Sequence, residues 1–264
     1  MTPLLIVIFA VTGWIALTLG LKWAGVWLFS HGPGGDSVTG LMALATQVYS
    51  RLMHRAQYEG LKHVPQTNQP GGLIVVSNHG SPIDPVLIQS ACGFVVRWMM
   101  AGDMMIPQLG WLWRHHRMIP VARDGRDLGP AREAIRHVQA GGVLGVFPEG
   151  ALVRPREQIR PFLPGVGFMI AKTRAPVLLL WLSGTPEATH LGSALTTRSH
   201  ARVRFIDRLE FGDERDPAAI TQTLRRLMAE ATGWPLCDEP LAPAPVEVVD
   251  PFGAPQPPDP DAVS

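Results

Sequence analysis

Two residues in one short stretch are suited to proton transfer: His79 and, five positions on, Asp84. A carboxylate that holds one imidazole nitrogen leaves the other free to take a proton. Helical neighbours stand three or four apart, so this spacing does not share a helix face. A turn must fold the carboxylate back onto the ring. There is no G-x-S-x-G elbow, and neither Cys92 nor Cys237 is near. A His–Asp pair without a protein nucleophile suits a general base acting on a hydroxyl of the substrate. The bland alternative is that Asp84 caps a helix and His79 satisfies a turn.

The flanking sequence shows how the pair is carried. Leu73-Ile74-Val75-Val76 is a continuous apolar run and reads as a buried strand. It breaks at the polar turn Ser77 to Gly80, and Asp84-Pro85 looks like an N-cap followed by proline at the first helical position. His79 thus sits just past a strand end, where loops carry chemistry on a rigid scaffold. Val143 to Phe147 reads as a second buried strand, delivering Glu149 and Gly150 to a loop expected on the same rim. Gly150 permits close backbone approach to a ligand. Further strands are expected over Phe94–Met99, Ala175–Leu182 and Arg202–Ile206. Helices are expected over Ser37–Gln57, Asp84–Ala91, Pro130–Ala140 and from Asp216-Pro217 to about Ala231. Strands alternating with helices predict an α/β fold with a mostly parallel sheet flanked by helices.

The chain has 264 residues and a net charge of +1, which suits one domain with appendages and gives no argument for nucleic acid as a partner. The two cysteines form no metal or redox spacing, and His115-His116 are too few for a metal site. Leu4 to Leu21 is an uncharged, mostly apolar run. Its roughly 27 Å of helix approaches the thickness of a bilayer core. Residues 1–30 are therefore expected to be an N-terminal membrane helix, spanning or lying in one leaflet. Lys22, Arg51, His54 and Arg55 follow it and favour a cytoplasmic catalytic domain. The breaker cluster His31 to Asp36 sets a boundary, so residues 37–233 form the main domain. Residues 234–264, rich in proline and acidic groups, read as a disordered tail.

Between the strands lie two further features. Met99 to Trp113 is unusually rich in methionine and tryptophan, which fits an acyl-chain groove, a bilayer contact or ordinary core. Arg114, His115, His116, Arg117 and Arg123 form a basic cluster, and guanidinium groups suit phosphate.

Asn78-His79-Gly80-Ser81-Pro82-Ile83-Asp84 resembles the NH-x-S-x-x-D signature of the glycerolipid acyltransferases, the 1-acylglycerol-3-phosphate acyltransferase-like family. Phe147-Pro148-Glu149-Gly150 is similar to that family's FPEG signature, in the same order. Weaker matches lie at Tyr58–Pro65 and at Gly110–Arg123, and the resemblance spans Tyr58 to Leu182. It implies a glycerol-3-phosphate acyltransferase-like fold and transfer of a fatty acyl group from acyl-CoA or acyl carrier protein to a lysophospholipid. The expected acceptor is 1-acylglycerol-3-phosphate, giving phosphatidic acid, at a bacterial inner membrane. It further implies His79 and Asp84 as catalytic residues, and Asn78, Ser81, Arg123, Glu149 and Gly150 as substrate-binding residues. No metal and no cofactor beyond the acyl donor is implied. Three departures stand out. Arg117 replaces a glycine and Pro120 a phenylalanine in the second signature. Ala151-Leu152 replace the threonine and arginine that usually follow FPEG, which leaves Arg154, Arg156 or Arg160 as substitutes and opens the way to a different head group.

Overall fold

The computed structural model describes residues 12–20, 22–23, 25, 32–122 and 127–239. Seven strands form one sheet: β1 (Gln57–Glu59), β2 (Leu73–Ser77), β3 (Val96–Ala101), β4 (Ile119–Val121), β5 (Val143–Val146), β6 (Val177–Ser183) and β7 (Arg202–Leu209). Their order across the sheet is β1-β7-β6-β2-β5-β3-β4. Every pairing is parallel except β6 with β7. The expected mostly parallel sheet is present.

The apolar run of β2 follows from its central place. Leu73 and Val75 point into one core, with Ile83, Leu87, Phe94 and Trp98. Ile74 and Val76 point into the other, with Leu144, Val166, Ile170 and Leu224. A strand covered on both faces cannot alternate apolar with polar. The helices on either side are α1 (Ser37–Met53), α2 (Asp84–Gln89), α3 (Gly110–His115), α4 (Gly129–Gln139), α5 (Gly165–Thr173), α6 (Leu191–Thr196) and α7 (Pro217–Thr232). Their ends obey local chemistry. The Asp36 carboxylate accepts from the N–H groups of Val38 and Thr39 at the start of α1. Asp216 and Pro217 open α7, and Gly233 closes it at φ +70°.

Several expectations change. Asp84 is not a cap: Ile83 holds the N-cap position, and α2 begins at Asp84 itself. Of the Met–Trp segment, Met105 and Trp113 are buried core, Trp111 is exposed, and most of the remainder is half-buried. His54 does not add to the positive charge beyond the anchor segment. Burial pushes its pKa down, and its ring is bonded to Ser199 Oγ (2.8 Å) and Tyr49 Oη (2.9 Å). The packed domain also continues past residue 233. Trp234 meets the Trp181 ring, Cys237 N–H donates to the Ile159 carbonyl, and Asp238 pairs with Arg225 at 2.9 Å. Residues 240–264 of the expected tail lie outside the described residues.

Residues 12–20 are helical and exposed, including Trp14 and Leu17. Most of the remaining anchor segment, residues 1–11 and 26–31, lies outside the described residues. Among the described residues no helix is long and apolar enough to cross a membrane.

Candidate active site

Parallel pairing sets the site. β5 and β6 flank β2 and run with it, so the loops that follow all three leave from one edge of the sheet. In open α/β sheets that carboxyl edge is where ligands bind. His79 follows β2, Glu149 follows β5, and Gly184 and Thr185 follow β6.

The His79 ring faces the Asp84 carboxylate, with Nδ1 to Oδ2 at 3.1 Å. The same oxygen accepts from the N–H groups of Gly80 and Ser81, each at 2.8 Å. A carboxylate oxygen only accepts, so the imidazole proton sits on Nδ1 and Nε2 carries the lone pair. Among the described residues nothing hydrogen-bonds to Nε2. Asp84 is fully buried, whereas the His79 side chain keeps 19% of its surface. The carboxylate is thus shielded while the ring is partly exposed. Phe147 holds the ring from one side: the two stack at 3.9 Å and 12°, and Trp98 stacks behind Phe147 at 4.8 Å. Nothing in the local sequence signals this aromatic platform beyond the position of Phe147 inside its motif.

Glu149 is 4% exposed, and its two oxygens accept from the backbone N–H groups of His79 (3.0 Å) and Arg160 (3.2 Å). It ties the His79 turn to the loop after β5. Both oxygens are spent on backbone, so Glu149 is a positioning residue. Burial pushes its pKa from 4.5 up to about 7, against the pull of those two N–H groups. A raised pKa means the folded state favours the proton. The associated stability is full below about pH 4.5 and is lost as pH rises through about 7, amounting to about 3 kcal/mol. Glu149→Gln does not titrate there. The melting temperature of the wild type, taken relative to Glu149→Gln, is expected to fall as pH rises across that window. A flat difference in thermal melts would contradict the buried, proton-holding role.

Asn78 is also scaffold. Its Nδ2 donates to the Leu182 carbonyl (3.0 Å) and its Oδ1 accepts from the Leu182 N–H (2.8 Å), which extends the β2–β6 pairing. Ser81 is fully buried and offers its backbone, not its hydroxyl, to Asp84. Gly150 is exposed at φ +75°, and an added Cβ would meet Leu163. Arg123 lies outside the described residues. Of the rest of the basic cluster, His115 Nε2 bonds Thr39 Oγ1 at 3.0 Å, and burial lowers the pKa of His116. Arg117 stands at φ +49°, the left-handed conformation that glycine adopts freely. Among the described residues no cluster of His, Cys, Asp and Glu is placed to hold a metal ion.

The Acyltransferase family model matches residues 55–183, which contain both signatures. A chloroplastic 1-acyl-sn-glycerol-3-phosphate acyltransferase of Brassica napus is 28% identical over 155 residues, 58% of this chain and 44% of that protein. An N-acylphosphatidylethanolamine synthase of Arabidopsis thaliana is 28% identical over 150 residues, 52% of each chain. The chain spans about half the length of these curated relatives. The crystal structure of the 1-acyl-sn-glycerophosphate (LPA) acyltransferase PlsC from Thermotoga maritima superposes with a TM-score of 0.58 at 21% identity, covering 74% of this chain and 81% of that one. That likeness establishes the fold. Residues 55–183, just under half of the chain, thus match the Acyltransferase family, and the relatives similar to this region include a glycerolipid acyltransferase.

Proposed function

We propose that the protein transfers a fatty acyl group from a thioester, acyl-CoA or acyl carrier protein, to the hydroxyl of a lysophospholipid, with 1-acylglycerol-3-phosphate as the acceptor that gives phosphatidic acid. The observation that carries this reading is His79, held at Nδ1 by Asp84, with Nε2 free of any hydrogen bond among the described residues and the side chain partly exposed. Nε2 takes the proton of the acceptor hydroxyl as its oxygen attacks the thioester carbonyl. The C–O bond forms, the C–S bond breaks, and the imidazolium returns its proton to the departing thiolate. The products are an ester and a free thiol. Asp84 steadies the imidazolium between the two transfers. In this reading the acceptor hydroxyl is itself the nucleophile, so no covalent acyl-enzyme forms.

A second reading keeps the chemistry and changes the acceptor. Leu152 stands where the family carries an arginine, which favours a lysolipid with another head group. A lipid-binding protein without turnover is less well supported, because His79 and Asp84 are both present and in contact at 3.1 Å. We further propose that the domain works on a membrane surface, facing the cytoplasm of a bacterial inner membrane. Val38, Leu41, Leu44, Val48 and Leu52 are exposed along α1, at helical spacing, and Trp14, Leu17 and Trp23 are exposed before it. An acyl-transfer assay on detergent-purified protein tests the reading. Product formation from a lysophospholipid and an acyl thioester is expected, and thioester consumption without acylated lipid would overturn it.

A further inference from the structure

Three arginines follow the altered signature, and their partners separate them. Arg154 donates to the carbonyls of Gly80 (3.0 Å), Val153 (2.7 Å) and Ala188 (3.1 Å), and lies 3.8 Å from Glu187. It is a brace for the catalytic turn. Arg160 is buried and donates to the carbonyls of Arg154 (3.0 Å) and Glu239 (2.8 Å). Its charge is balanced by the Glu239 carboxylate at 3.4 Å. Arg154 is held by three carbonyls, and Arg160, although its buried Nε lacks a partner, already has its charge balanced.

Arg156 differs in each respect. Among the described residues no carboxylate pairs with it. Its Nη1 donates to the Thr185 carbonyl at 2.6 Å and its Nη2 to Thr185 Oγ1. Two of the five guanidinium N–H groups are thereby used, and the fork is fixed in direction by a residue that is itself 4% exposed. Arg156 lines a pocket of about 120 Å³ together with Asn78, His79, Gly80, Gly184 and Trp234, and its remaining donors have no partner among the described residues. A Cβ on Gly80 would stand 2.9 Å from Nη2, so the absence of a side chain beside His79 is what lets the guanidinium approach. The charge is felt locally: Arg154 has its pKa lowered first by burial and then by Arg156. An unbalanced, directed guanidinium in the pocket of a general base is a site for an oxyanion.

We propose that Arg156 binds the phosphate of the acceptor lysophospholipid, with Thr185 holding the fork and Gly80 giving it room. This rests on the acyl-transfer reading above. The glycerol unit then spans from Arg156 to His79, placing a hydroxyl at Nε2. The position is not that of the arginine missing after Gly150. It is reached from the loop at 153–160, which folds back over the His79 turn through the Val153 N–H bond to the His79 carbonyl (2.9 Å). Glu157 lines the same pocket without an ion pair among the described residues, so a head group bearing an amine and one bearing a bare phosphate meet different surroundings there.

The test is steady-state kinetics of the full chain with Arg156→Gln and Arg156→Lys, using lysophosphatidic acid and lysophosphatidylethanolamine as acceptors. Loss of a charged hydrogen-bonding partner is expected to raise the acceptor KM about 10–100-fold for any acceptor that turns over. The donor KM is expected to stay unchanged, and Arg156→Lys to recover part of the loss. Arg208→Gln, which removes an exposed cation on β7, is expected to leave both unchanged. If Arg156→Gln does not fold, Gly80→Ala reads the same effect by pushing the guanidinium aside. An unchanged acceptor KM in the folded variants, or an equal rise in donor KM, overturns the assignment while the acyl-transfer reading stands. A wild type that acylates neither lysolipid overturns both.

Discussion

His79→Ala is expected to lower kcat by 10²–10⁴-fold or more while the melting temperature stays close to that of the wild type. The magnitude is that of a positioned general base, about 3–5 kcal/mol of barrier. The structure explains why the fold should survive. The His79 ring keeps 19% of its surface, and its one side-chain hydrogen bond is to Asp84, which has two other donors. The backbone bonds of His79, its N–H to Glu149 and its carbonyl to Val153, do not depend on the ring. What is lost in packing is the stack on Phe147, an aromatic contact worth about 1 kcal/mol. A variant with wild-type turnover would remove His79 from the chemistry.

Asp84 should behave differently, because it serves the turn as well as the ring. Asp84→Ala leaves the buried N–H of Ser81, the N–H of Gly80 and Nδ1–H of His79 without their common acceptor. Each such loss costs about 1–3 kcal/mol, so a destabilisation of about 3 kcal/mol or more is expected alongside a loss of turnover comparable to His79→Ala. Asp84→Asn separates the two effects. Its amide oxygen can take the place of Oδ2 and accept the same three donors, so most of the stability should return. The negative charge that steadies the imidazolium does not return, and turnover should stay low. Thermal melts and kcat measured side by side decide this; an asparagine variant with full activity would reduce Asp84 to a structural role.

How far the sequence disclosed this site depended on how local each signal was. The run Leu73–Val76 is legible as a strand because both its faces are buried. The two signatures each follow a strand, so their meeting on one rim followed once the sheet was parallel. The N-cap reading of Asp84 failed because Asp-Pro at a helix start is the ordinary capping pattern, and only the backward turn through Pro82 shows that the carboxylate serves residues 79–81 instead. Asn78 and Glu149 read as substrate contacts, but their partners are backbone groups 104 and 70 residues away in the chain, which no local pattern reveals. β1 and β4 have three residues each, too few for any periodicity. The composition of the segment after Gly233 suggested an unpacked tail. Trp234 and Leu236 nevertheless anchor it, with Arg225 receiving Asp238. Arg156 was one of three equivalent substitutes in sequence, and only the absence of a carboxylate partner distinguishes it.

The most direct test of the account is acyl transfer by the wild type and His79→Ala, with labelled acyl-CoA and acyl carrier protein donors offered with and without a lysophospholipid. The account predicts label in the acylated lipid only when the acceptor is present, dependence on His79, and no label retained on the denatured protein. Label retained on the protein in the absence of acceptor, or equal transfer by His79→Ala, would contradict direct base-catalysed transfer.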